Sequence, residues 1–248
     1  MLISLFIPLI FGSLAQAASI PAFHPPIAGD VRSPCPALNI IANHGLIARD
    51  GKNITPAQYI AGLKEIGCDP ALCGALAQAA VNAVPTRKNA QGEIVFGLDD
   101  LRKHLGIEHD ASLTRNDFNT SPTHDNYSFN RTLYDQLVSL RDPQTQRLDA
   151  TSIARARKIR QKQSKDGNPA ASLDGKQHAL AHGEGAAFLI FMGYQYGNAV
   201  PKAYADAFFV DERLPFEEGW VPSPKLLGLI EESAAVGAIV AKELLIKD

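Results

Sequence analysis

The sequence predicts a mainly α-helical, all-α protein built as a single domain, and three observations carry that expectation. Apolar residues recur with helical spacing among good helix formers along most of the chain, capping side chains stand directly before prolines, and only one short run reads as a strand. The periodic segments are 57–66, 70–84, 98–105, 131–140, 149–163, 176–193, 201–209 and 224–246. Thr55-Pro56, Asp69-Pro70 and Ser223-Pro224 each place an oxygen-bearing cap before a proline at the first helical position, so helices are expected to start there. Glu93-Ile94-Val95-Phe96 is the strand-like run, too short to define a sheet. Residues 141–175 are polar and rich in Arg, Lys and Gln, yet Ile153, Ala156 and Ile159 keep a helical stripe, which predicts a solvated helix face over a basic arm.

The 248 residues suffice for one large domain or two small ones, and no repeat of fixed period divides them. With 24 basic and 26 acidic side chains the net charge is −2, so composition gives no electrostatic footprint for nucleic acid or an anionic membrane. Three cysteines are too few for a disulfide scaffold, and a 46% hydrophobic, 20% charged chain is that of a globular domain.

Residues 1–17, MLISLFIPLIFGSLAQA, carry no charge and end in the small-x-small pattern Ala15-Gln16-Ala17, which reads as a secretory signal followed by one domain over 18–248. Residues 226–246 are apolar in bulk but interrupted by Glu231, Glu232, Lys242 and Glu243, as in an amphipathic helix and unlike a membrane span. Export fits the acceptor tripeptides at Asn53, Asn119, Asn126 and Asn130, which would make the product a secreted glycoprotein in a eukaryote.

Sulfur supplies the first chemical signal. Cys35 stands at the threshold of a helix that opens with Pro36, where first-turn N–H groups point back at the sulfur and favour a thiolate able to ligate a metal. An inert buried thiol and half of a disulfide are the alternatives. Cys68 and Cys73 can close a local bridge if Cys68 lies outside the helix that carries Cys73, which leaves Cys35 odd. The second signal is Glu108-His109-Asp110-Ala111-Ser112. Glu108 and Ser112 can offer hard oxygens to a cation on one side of a turn, while Asp110 can hold the His109 imidazole in one tautomer as an acid/base partner. A plain polar loop is the other reading. The third is Glu184, set among Ala, Leu, Phe and Ile, where desolvation would raise its pKa toward the range useful for proton transfer unless a cation pairs with it; a glutamate at a helix N-terminus stabilised by the dipole is the other reading. On a helix from Glu184, Ala187, Phe188 and Phe191 share its face; Ala187 leaves room beside the acid, and the phenylalanines suit either a pocket wall or the core. His44, His178 and His182 read as structural. No GxGxxG after a strand, GxxxxGK[ST] or HExxH is present, so hydride and nucleotide chemistry lose support.

These elements coincide with a family pattern. Pro34-Cys35-Pro36-Ala37-Leu38-Asn39 with Ala42-Asn43-His44-Gly45, Glu108 to Leu113 with Arg115, and Phe208 to Pro215 with Gly219-Trp220 make the chain resemble the secreted fungal haem-thiolate peroxidases, the family of chloroperoxidase and the unspecific peroxygenases, and its short type in particular. The resemblance implies a helical haem-thiolate fold with haem b held by Cys35 as axial ligand. It implies Mg²⁺ or Mn²⁺ held by Glu108, Ser112 and the His109 carbonyl beside a haem propionate. Glu184 would be the distal acid/base, assisted by His109, because Gln177 stands where the long type carries an arginine. Ala187 and Phe188 would lie against the cofactor. Leu46 and Ala48 depart from the family's tyrosine and proline near the proximal helix. The implied activity is hydrogen peroxide-dependent oxygenation of small organic substrates by a monomer or homodimer, with no nucleic-acid or membrane partner. Halide oxidation, a non-catalytic secreted haem carrier and a cofactor-free binding domain are the competing readings.

Overall fold

The computed structural model describes residues 20–85 and 87–247; the leader expected at 1–17 lies outside them. Helices α1 (Pro36–Asn43), α2 (Pro56–Glu65) and α3 (Pro70–Ala83) all open on the prolines expected of them. Thr55 Oγ1 accepts from Gln58 N at 3.2 Å while Gln58 Oε1 accepts from Thr55 N at 2.9 Å, a reciprocal cap that satisfies two otherwise orphaned amides. Asp69 Oδ1 accepts from Leu72 N at 2.8 Å at the head of α3. The same device repeats at α4 (Arg131–Ser139) from Asn130, at α5 (Ala150–Gly167) from Asp149 and at α6 (Gly175–Gly193) from Asp174. Helices α7 (Lys202–Phe209) and α8 (Leu229–Leu245) complete the set. Among the described residues the strands form two antiparallel pairs of two residues each, Arg87–Lys88 with Ile94–Val95 and Arg147–Leu148 with Val200–Pro201.

Three expectations change. The segment 98–105 is only a 3₁₀ turn, Leu98–Arg102, because Lys103 leaves helical backbone at φ −56° and ψ 114°, and Leu105 then turns into the left-handed region at φ 60°. The last helix starts at Leu229 and not behind Ser223-Pro224: Leu227 N donates to Gly67 O at 2.8 Å and Leu227 O accepts from Asp69 N at 3.0 Å, so 223–228 are drawn out as an extended partner of the turn before α3. Helix α5 is not merely a solvated face, since Arg157 and Arg160 are buried and paired to Glu243 and Asp117.

Helices α6 and α5 both pack on α8, and Ile153, Leu189, Ala235 and Ile239 belong to the one buried core that runs through the fold. Gly185 permits the close approach of α6 to α5, for a Cβ there would lie 2.8 Å from Ile153 Cγ2. Cys68 lies outside α3 and is bridged to Cys73 on it, their Cα atoms 6.0 Å apart, while Cys35 is free. Among the described residues no helix is long and apolar enough to cross a membrane.

Candidate active site

Cys35 is the N-cap of α1, in extended backbone at φ −80° and ψ 113°. Its loop is built by Ser33 and Asn39. Ser33 Oγ accepts from Cys35 N at 3.2 Å and donates to Cys35 O at 3.1 Å, while the Asn39 amide grips Ser33 N at 2.8 Å and Ser33 O at 3.0 Å. The Leu38 and Ala37 amides do point at the sulfur, as the helix start predicts. Their pull is outweighed: burial first, then the negative charge of Glu184, push the thiol up to about 11, with Leu38, Ala37 and Arg115 opposing. The expected preference for thiolate is therefore not met by the helix entrance alone.

Glu184 is within electrostatic reach of that sulfur, from the third turn of α6. The expectation that it is a desolvated acid fails, for its side chain is 57% exposed. Gly185, Ala186, Phe188 and Leu189 face the core and leave Glu184 on the open side of the helix. Its partner is His109, whose Nε2 lies 3.1 Å from Glu184 Oε2. His109 is buried. Burial lowers its pKa, but the charge and hydrogen bond of Glu184, then the Asp110 carbonyl, carry it up to about 9. Nδ1 donates to the Asp110 main-chain oxygen at 2.7 Å, so a carbonyl and not the Asp110 carboxylate fixes the ring. That carboxylate is turned away, accepting from Ser172 N at 3.1 Å with Oδ1 buried and unpartnered. Phe188 belongs to the core, its ring against Phe208 and Phe209 at 5.2 and 4.9 Å, whereas Ala187 and Phe191 stay partly accessible.

Glu108 is buried, and burial raises its pKa against the pull of His104, Asn126 and the Leu105 amide. Oε2 accepts from His104 Nδ1 at 3.0 Å and from Leu105 N at 3.3 Å, whereas Oε1 is buried with no partner. Ser112 Oγ donates to His109 O at 3.2 Å, so these two oxygens stand side by side. Ala111, at φ 62°, makes the tight reversal between them and is tied by its N–H to Asp117 Oδ1 at 2.9 Å. Arg160 Nε then holds Ser112 O at 2.8 Å from behind. Among the described residues no three His, Cys, Asp or Glu side chains converge as a metal cage, so a cation at Glu108 would take carbonyl and hydroxyl oxygens.

Sequence reasoning missed Glu212 as a partner of this site, although the Phe208–Pro215 block contains it. Its Oε1 accepts from Asn39 Nδ2 at 2.8 Å and from Arg115 Nη2 at 2.9 Å, and its carbonyl accepts from Asn43 Nδ2 at 3.0 Å. One carboxylate thus joins the cysteine helix to the chain that follows Ser112. His44 is structural as expected, with Nδ1 donating to Pro21 O at 2.8 Å and Nε2 accepting from Leu214 N at 3.1 Å.

Two curated relatives are both named aromatic peroxygenase. The one from Coprinellus radians is 36% identical over 127 residues, covering 44% of this chain and 46% of that protein. The one from Cyclocybe aegerita is 29% identical over 225 residues, covering 79% of this chain and 57% of that protein. The chain therefore spans about half the length of the curated relatives it matches. The family described as peroxidase, family 2, matches residues 21–225, from before the cysteine loop to beyond Trp220. With a free Cys35 in electrostatic reach of the Glu184 that His109 holds, and a family that implies haem matching residues 21–225, this chain belongs to peroxidase family 2.

Proposed function

We propose that the chain is a secreted haem-thiolate peroxygenase that uses hydrogen peroxide to oxygenate small organic substrates. The observation that carries the reading is the His109–Glu184 contact within electrostatic reach of the free Cys35. A carrier of haem needs no such pair. The names of the relatives support peroxygenation as the reaction, and the Cys68–Cys73 bridge suits an oxidising compartment.

Cys35 would hold the iron of haem b through its sulfur. The fit rests on three observations: a thiol left free, first-turn amides aimed at it, and a loop fixed by Ser33 and Asn39. Since burial holds the proton on the free thiol, the charge of an iron is what would release it. When bound, thiolate-ligated haem supplies oxygen activation with electron donation that favours O–O cleavage. Glu184, exposed and held at one oxygen by His109, accepts a proton from peroxide and returns it to the departing oxygen. Through its Nδ1–H bond to the Asp110 carbonyl, His109 keeps Nε2 aimed at that carboxylate. Ala187 leaves space for substrate one turn along α6. Glu108 Oε1, His109 O and Ser112 Oγ would hold Mg²⁺ or Mn²⁺ beside a haem carboxylate, and the bare buried Oε1 is the feature that fits a cation.

The test has two parts. The reduced, carbon monoxide-bound protein should show the strongly red-shifted Soret band of thiolate ligation; a haem-loaded protein without it ends the Cys35 assignment. Glu184→Gln should lower peroxide-dependent turnover by about 10² to 10⁴ with the Soret band intact. Unchanged turnover removes the acid from the mechanism.

A further inference from the structure

We infer that His104 is the positioning residue of the cation site, a role that rests on the cation reading of Glu108 above. The 3₁₀ turn Leu98–Arg102 delivers His104 to a place where its ring stacks on Phe118, centroids 4.6 Å apart at 10°. Phe118 stacks in turn on His124 at 4.3 Å and 13°. The His104 ring is therefore clamped in one plane. In that plane Nδ1 donates to Glu108 Oε2 at 3.0 Å, and Leu105 N, set by its left-handed backbone, adds a second donor at 3.3 Å.

The asymmetry of the Glu108 carboxylate is the informative feature. Oε2 is claimed twice and Oε1 accepts no hydrogen bond, the Asn126 amide that also draws on the carboxylate being spent on Arg102 O at 3.0 Å, although both oxygens belong to a side chain that is almost wholly buried. A buried carboxylate oxygen without a partner is costly unless something occupies it. By holding Oε2, His104 fixes the rotation of the carboxylate and leaves Oε1 as a single hard oxygen on the same short loop as the paired His109 carbonyl and Ser112 hydroxyl. His104 Nε2, 3.8 Å from Asp110 Oδ2, is too far for a hydrogen bond, so the Glu108 contact is the specific one.

The stack and the donor can be separated. His104→Phe keeps an aromatic ring against Phe118 and removes the N–H; His104→Asn gives up the ring but offers an amide donor near the position of Nδ1. Haem-loaded protein, stripped by a chelator and dialysed, is titrated with Mn²⁺, the free ion being followed by its paramagnetic resonance, and melting temperatures are measured alongside. His104→Phe should raise the Mn²⁺ dissociation constant by about 10- to 100-fold, and His104→Asn should recover most of that loss. If His104→Phe does not fold, His104→Leu takes its place as the variant without a donor. Wild-type affinity in the donor-free variant overturns the proposal, and so does equal loss in His104→Asn. Haem-loaded wild-type protein that binds no Mn²⁺ instead defeats the cation reading itself and leaves the haem reading standing.

Discussion

Replacing Glu212 by alanine removes the acceptor shared by Arg115 and Asn39. Asn39 Nδ2 keeps Ser33 O at 3.0 Å, so its loss is partial. Arg115 fares worse: with 3% of its side chain exposed it keeps hydrogen bonds to Thr114 alone, at 3.2 and 3.4 Å from Nη1, beside a distant stack on Phe129, and its Nε already has no partner. Breaking a buried ion pair from one side costs about 3 to 5 kcal/mol. Because the Glu212 side chain is 18% exposed, we place the loss at the lower end, about 3 kcal/mol. For a chain of this length that lowers the melting temperature by about 6 to 12 °C. A double-mutant cycle sharpens the point. Arg115→Met relieves the stranded guanidinium, so the pair of changes together should cost at least about 1 kcal/mol less than the sum of the singles. Thermal melts of the four proteins give the coupling directly. Additive singles, or a Glu212→Ala melt within about 2 °C of wild type, would show that Glu212 does not join the cysteine helix to the segment after Ser112.

Three further outcomes can be checked. Expressed in a glycosylating secretory host, the protein should carry glycans at the exposed Asn53 and Asn119 but not at Asn126, whose buried amide donates to Arg102 O at 3.0 Å, nor at Asn130, tied to Asn116 at 2.6 Å; glycopeptide mass spectrometry decides, and occupancy at Asn126 contradicts the fold there. Glu231, paired with Lys225 and bonded to Gly228 N at the head of α8, has its pKa lowered to about 2 from 4.5, so its contribution to stability is present above pH 4.5 and is lost as pH falls through 2. The advantage of wild type over Glu231→Gln in melting temperature should shrink across that window, and a gap independent of pH refutes the pairing. Ala187→Phe, on the accessible face one turn from Glu184, should reduce turnover of bulky substrates before small ones; equal loss at all sizes counts against a substrate path there.

Helix starts were legible because their signal is local. A cap, a proline and a reach-back side chain lie within four residues at Thr55, and nothing distant competes. The start of α8 was not, because Gly67 and Asp69, far back in the chain, draw 223–228 into extended pairing. The exposure of Glu184 was hidden for a different reason: α6 is apolar around much of its circumference, so its sequence does not say which side meets α5 and α8. Asp110 was read as the orienting group because a carboxylate is the visible candidate, whereas the carbonyl that does the orienting belongs to every residue alike. The shared role of Glu212 depends on partners 97 and 173 positions away, a juxtaposition that only the folded chain supplies.

Helix α5 reaches in two directions with arginines one turn apart. Arg160 grips Ser112 O and Asp117, and Arg157 grips Glu243 near the end of α8, where His182 Nε2 also meets Glu243 at 2.9 Å. The last turn of the chain and the oxygen-rich loop are thereby fastened to the same rod. A truncation that reaches past the exposed Leu244 and Leu245 to Glu243 would take the carboxylate from both Arg157 and His182, so trimming the tail perturbs the same helix that carries the clamp on Ser112.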